Sequence, residues 1–135
     1  MNSVTLNYWD LVRSSIAGRQ ERKVEPKQGK WKEYNKHAIL IAEGHYVDGH
    51  KQGRWKEYFD SGELMLEEDF ERGIPDGRFI SYHRNGRILS EGNFKNGLRS
   101  GEFRVYDEQG VHTKSLWFDD DTPVEGIDLD QSIKP

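Results

Sequence analysis

No cysteine occurs among the 135 residues, so disulfides and thiolate metal sites are excluded. No apolar run approaches the ~18–20 residues that a membrane-spanning helix needs. Residues Met1–Asp10 lack the basic start and apolar stretch of a secretory signal, so a soluble cytoplasmic protein is expected. Hydrophobic residues make up only 33%, and mean hydropathy is −0.96. So few aliphatics cannot fill a thick core. Aromatics nevertheless reach 12%, and their strict placement, shown below, excludes a disordered chain. The length fits one domain. Net charge is −4 but uneven: residues 1–32 carry seven Lys/Arg against three Asp/Glu, and residues 118–135 carry one Lys against six Asp/Glu. No concentrated basic face is evident, which disfavours general nucleic-acid binding.

What the chain does have is a signature that recurs four times at a period of 24 residues. Gly29, Gly53, Gly77 and Gly101 each open a unit. An aromatic follows two residues later (Trp31, Trp55, Phe79, Phe103), and a tyrosine five residues later (Tyr34, Tyr58, Tyr82, Tyr106). Another aromatic stands at offset seventeen (Tyr46, Phe70, Phe94, Phe118). These columns hold twelve of the sixteen aromatics. A fixed period without insertions means one supersecondary unit stacked on copies of itself, which favours an extended binding surface over an enzyme pocket.

Two turn signals divide each unit. One ends in glycine at offset nine, as in Asp60-Ser61-Gly62 and Arg84-Asn85-Gly86. It reads as a three-residue hairpin loop closed by a left-handed glycine. The other carries Gly49, Gly73 or Gly97 at offset twenty. Each unit is therefore a β-hairpin, and the chain an all-β antiparallel meander of about eight strands. The loop predicts that Tyr58 pairs with Leu64, Tyr34 with Leu40, Tyr82 with Ile88, Tyr106 with His112, and Trp55 with Glu67. Alternation then places the tyrosines with offsets eleven, thirteen and seventeen on one, more apolar face. The tryptophan column, offset twelve (Ile41, Met65, Leu89) and Glu43, Glu67 and Glu91 share the other. On this register Tyr58 and Phe70 are expected to be buried.

The terminal units depart from the pattern. Asn35-Lys36-His37-Ala38 puts alanine where glycine is expected. Alanine resists the left-handed conformation, so a different turn is anticipated there. In the fourth unit, Lys114, Ser115 and Asp121 replace the usual apolar, glutamate and glycine positions. Residues 1–28 lie outside the repeat. Val4, Tyr8, Leu11, Val12 and Ile16 recur at helical spacing, predicting an amphipathic helix over Ser3–Ala17 and a polar linker over Gly18–Lys27. That helix either caps the first strand edge or docks a partner. The organisation is thus 1–28, a helix and linker cap; 29–126, four repeats (29–52, 53–76, 77–100 and 101–126); and 127–135, an acidic tail.

The run Gly-x-Trp-x-x-Tyr-x-x-x-Gly-x-Leu-x-x-Glu-x-x-Phe-x-x-Gly resembles the MORN-repeat variant over about Lys27–Gly126. Arrays of it occur in bacterial proteins described as YwqK-type antitoxins. The resemblance implies an elongated sheet of stacked hairpins and a non-enzymatic protein-binding scaffold, an antitoxin or immunity protein among the options. It implies no catalytic residues.

A search for chemistry agrees. His37, His45, His50, His83 and His112 occupy five different offsets, whereas metal ligands must converge. Glu43, Glu67 and Glu91 recur two strands apart, roughly 9–10 Å, without a pocket former. They read as structural carboxylates, or as a strip for a basic partner. The glycine spacing matches no phosphate-binding fingerprint, and no nucleophile elbow is present. No enzyme activity, cofactor or metal is expected.

Residues that break the repeat carry more information. Phe59 stands where Asn35, His83 and Asp107 are polar, and Trp117 stands at the offset of His45, Asp69 and Asn93. Ile74, Pro75 and Leu98 make two inter-repeat turns apolar, and Asp119, Asp120 and Asp121 form an acidic run. Exposed aromatics and contiguous apolar patches are typical contact sites. The expected function is occlusion of a cytoplasmic toxin or effector, with acidic groups steering a basic partner. Rivals are a lipid-associated scaffold, disfavoured by net acidity, and head-to-tail self-assembly between oppositely charged ends.

Overall fold

A computed structural model describes residues 24–124. They form one sheet of nine antiparallel strands in sequence order. These are β1 (Gly29–Tyr34), β2 (Leu40–Val47), β3 (His50–Tyr58), β4 (Leu64–Glu71), β5 (Ile74–Tyr82), β6 (Ile88–Lys95), β7 (Leu98–Tyr106), β8 (His112–Asp119) and β9 (Thr122–Pro123). The first eight are the expected hairpin strands. The two-residue β9 follows the fourth inter-repeat turn. The expected helix over Ser3–Ala17 and the tail 127–135 lie outside the described residues.

Both turn types follow from local chemistry. Within each repeat a three-residue loop closes on a left-handed residue, with Gly62 N bonded to Phe59 O at 2.9 Å and Phe59 N to Glu63 O at 2.8 Å. The first repeat makes the same turn, contrary to expectation: Ala38 adopts φ 63°, and Ala38 N bonds Asn35 O at 2.9 Å. The Asn35 side chain holds it there, its Oδ1 accepting from the backbone N–H of His37 at 2.8 Å and of Ile39 at 3.1 Å. Between repeats, two consecutive left-handed residues form a tight hairpin turn: Asp48-Gly49, Arg72-Gly73, Asn96-Gly97 and Asp120-Asp121. Each of these turns is tied to the chain entering the hairpin before it, through Gly49 N to Lys27 O, Gly73 N to Lys51 O, Gly97 N to Pro75 O and Asp121 N to Arg99 O, at 2.7–2.9 Å.

The expected pairs Tyr34–Leu40, Tyr58–Leu64, Tyr82–Ile88 and Tyr106–His112 all form. The register then slips by one. Glu57 pairs with Leu66, leaving Met65 as a bulge, so Trp55 meets Glu68 and not Glu67. Ile41, Leu89 and Thr113 are the equivalent bulges. A bulge carries two residues against one and reverses the facing of everything beyond it. The expected faces are therefore exchanged in part. The tryptophan column joins the offset-seventeen aromatics, and the tyrosines join the glutamates.

Among the described residues the aromatic face carries most of the core, with Ile80 buried on the opposite face. Trp55 is only 1% exposed and packs with Ala42 and Tyr46, with Trp31 and Phe70 against them. Edge-to-face contacts link Trp31–Tyr46 at 5.6 Å, Tyr46–Trp55 at 5.0 Å, Phe79–Phe94 at 5.8 Å, Phe94–Phe103 at 5.7 Å and Phe103–Phe118 at 5.5 Å. This arrangement suits ring quadrupoles. Tyr58 and Phe70 are only half-buried, and Tyr34 is 56% exposed. The tyrosine column is therefore not buried as expected, whereas the offset-seventeen column is buried at Tyr46 and Phe118 and half-buried at Phe70 and Phe94.

The signature glycine aims the buried ring. Glu43 pairs with Lys56 and His45 with Gln52, so Gly53, Arg54 and Trp55 stand opposite Gly44 alone. Gly53 takes φ 75° in this bend, which brings the indole down onto Gly44. The indole Nε1–H donates to His45 O at 2.9 Å, so its polar atom is satisfied.

Candidate functional site

The sheet has two faces of different chemistry and two edges of different turns. On the tyrosine face the tyrosines of the second, third and fourth repeats donate to the glutamate of the preceding repeat: Tyr58 to Glu43, Tyr82 to Glu67 at 3.1 Å, and Tyr106 to Glu91 at 2.6 Å. Arg54 lies 3.5 Å from Glu67, and Arg78 lies 3.2 Å from Glu91. The glutamate column is thus engaged within the sheet.

This ladder sets proton affinities. The Tyr58 phenol is pushed up to about 12, first by burial and then by its bond to Glu43. Tyr82 and Tyr106 shift the same way for the same two reasons. Glu91 is held below its ordinary value, chiefly by the Tyr106 hydroxyl. A phenol raised in the fold contributes stability that is full below its unfolded value of about 10 and lost as pH rises through the folded value. The denaturant midpoint should therefore fall between pH about 10 and about 12, with late phenolate absorbance from these tyrosines. Ionisation of every tyrosine near pH 10 would show that the ladder does not form in solution.

The sequence-predicted site residues fall in three places. Ile74, Pro75, Leu98 and the turn Asp119–Asp121 line the edge formed by the inter-repeat turns. Ile74 is 50% exposed and Leu98 39%. Asp119 and Asp120 are exposed, but Asp121 is committed to structure. It fills the glycine position of its turn at φ 70° and pairs with Arg99 at 2.5 Å, which holds its carboxyl below the usual range. Trp117 lies near this edge, cross-strand from Glu102 and 36% exposed. Phe59 sits at the opposite edge, half-buried, with the Arg84 guanidinium 4.4 Å above its ring.

Residues 51–72 and 75–96 match the family model described as the MORN repeat variant. These two segments are similar to MORN repeats. The matched spans are the two central hairpins, β3–β4 and β5–β6; the outer hairpins, outside the match, repeat their turns and pairings. No curated protein matches the chain significantly.

Two features of this array escaped the sequence reading. Cations stand over the aromatic face: Lys27 lies 4.6 Å from the Trp31 ring, Lys51 4.7 Å from Trp55, and Arg99 4.2 Å from Phe118. All three share offset twenty-two, so the same phase count would have found them. Ser115, 4% exposed, heads a polar cluster in the fourth repeat. Its hydroxyl donates to Glu102 at 2.6 Å, and His112 Nε2 lies 3.0 Å from both Ser115 Oγ and Lys114 O. Arg104 donates to His112 Nδ1 at 2.9 Å. The serine proton thus points at Glu102 and away from the histidine, and the hydroxyl is shielded from substrate. Nucleophile activation needs the opposite arrangement. Among the described residues, no three of His, Asp and Glu converge to hold a metal, and no helix is long and apolar enough to cross a membrane.

Proposed function

We propose that the protein is a non-enzymatic, protein-binding MORN array, and that it acts as an antitoxin or immunity protein covering a basic cytoplasmic toxin or effector. The observation that carries this reading is the inter-repeat edge. Ile74 and Leu98, one repeat apart, expose apolar surface beside Asp119 and Asp120, with Trp117 close by. Apolar anchors rimmed by charge of one sign fit a stoichiometric interface. The hydrogen-bonded state of the glutamate column and of Ser115 argues against a catalytic role for either.

Co-expression with the product of the adjacent gene, scored by growth rescue and co-purification, tests the reading. For a captured partner, Asp119→Asn with Asp120→Asn should slow association and leave dissociation nearly unchanged, because rim charges act on encounter. Trp117→Ala should instead speed dissociation. Both variants should melt near the parent temperature. Surface plasmon resonance at two salt concentrations decides; unchanged kinetics for both would remove this end of the sheet from the interface.

A further inference from the structure

The third repeat departs from the other three at one spot on the aromatic face. In the first, second and fourth repeats the residue at offset twenty-two of the preceding segment is Lys27, Lys51 or Arg99, each poised over the rings of its own repeat. In the third repeat that residue is Pro75, which has neither charge nor reach. The rings beneath, Phe79 and Phe94, meet edge-to-face at 5.8 Å, remain half-buried, and have no cation over them among the described residues.

A second departure coincides with the first. The position cross-strand from this ring is Gly44 for Trp55, Gly92 for Phe103, and Glu68 for Phe79. Glu68 therefore lies on the aromatic face, in register with Trp55 on one side and Phe79 on the other. Its carboxylate makes no ion pair and no hydrogen bond among the described residues. Burial pushes its proton affinity up, and Glu57 adds to that; Lys51 opposes it but is engaged over Trp55 and Phe70. A carboxylate in this position is incompletely neutralised by its own chain.

We propose that Phe79, Phe94 and Glu68 form a receptor for a lysine or arginine side chain supplied by a partner protein. The incoming cation takes the place that Lys27, Lys51 and Arg99 hold in the other repeats, and Glu68 neutralises it. Ring faces attract ammonium and guanidinium groups, and a nearby carboxylate adds a charge-assisted bond. Arginine suits the site best, because its planar group stacks on a ring while its N–H groups reach the acid. This names the partner's chemistry within the protein-binding reading and rests on it.

The test uses the full chain and a defined probe. N-acetyl-Gly-Arg-Gly amide is titrated against aromatic NMR signals, with the citrulline peptide as the uncharged match. The Phe79 and Phe94 signals should move saturably with the arginine peptide alone. Pro75→Lys, which restores the chain's own cation, should weaken binding roughly tenfold, and Glu68→Gln should weaken it several-fold. If Pro75→Lys fails to fold, Phe94→Leu serves in its place. Still signals, equal shifts at Trp31, Trp55, Phe103 and Phe118, or an equal response to citrulline would each overturn the receptor. The association kinetics of the Asp119 and Asp120 variants are independent of this result, so either idea can fail while the other stands.

Discussion

Trp55→Ala should lower stability by about 3–5 kcal/mol, the range for truncating a fully buried large aromatic. The indole is 1% exposed, the most buried large side chain among the described residues. It ties together Tyr46, Ala42 and Phe70 from the two adjoining strands. Among the described residues the sheet has no second layer to close over the void, and the loss removes a large share of the ~5–15 kcal/mol that a domain typically holds. Tyr58→Ala, at a half-buried ring, should lose clearly less. Urea titrations followed by far-ultraviolet circular dichroism measure both. A Trp55→Ala loss below about 1 kcal/mol would mean that the aromatic face does not hold the sheet together.

Gly44→Ala should be the next most damaging change, at about 1–3 kcal/mol. The argument concerns space and not backbone angle: an added Cβ would lie 2.3 Å from Trp55 Cδ2 and 2.4 Å from Cε2. The indole has little freedom to retreat, because its N–H is anchored to His45 O. A double-mutant cycle identifies the cause. In a Trp55→Ala background the Gly44→Ala penalty should largely vanish; persistence of the full penalty would place the strain elsewhere. Gly92 under Phe103, at 2.6 Å, is the equivalent position in the third repeat.

The 24-residue phase was enough to read eight of the nine strands, the three-residue loop of the glycine-bearing repeats, the place of the inter-repeat turns and the four tyrosine pairings, since all depend on short-range turn chemistry. The facing of the rings was not legible, for a definite reason. In the second repeat Leu64, Met65 and Leu66 are all apolar, so a ladder with or without a bulge at Met65 buries an aliphatic residue. Side-chain pattern cannot choose between them; backbone geometry after the loop does. Ala38 misled in the opposite direction, because the Asn35 side chain stabilises a conformation that alanine alone resists. At the candidate site, Asp121 was visible as a departure from glycine. Its commitment to Arg99, twenty-two residues earlier, becomes apparent only once the register is known. Gly44 and Gly92 carried a signal in retrospect, as glycines inside strands without a turn to explain them.

The bonds that tie each inter-repeat turn to the start of the hairpin before it bear on how such a gene changes. Donor and acceptor stand twenty-two residues apart in every case, from Lys27 and Gly49 to Arg99 and Asp121. Duplication of 53–76 in frame with the period would leave each turn a carbonyl to meet and each strand a neighbour of the right polarity. The sheet would lengthen by two strands, roughly 9–10 Å. An insertion of twenty-three residues would strand one turn and reverse the faces of everything after it. Recombination between repeats is thereby filtered to whole multiples of one length, and a lineage can adjust its span in fixed steps without redesigning a core.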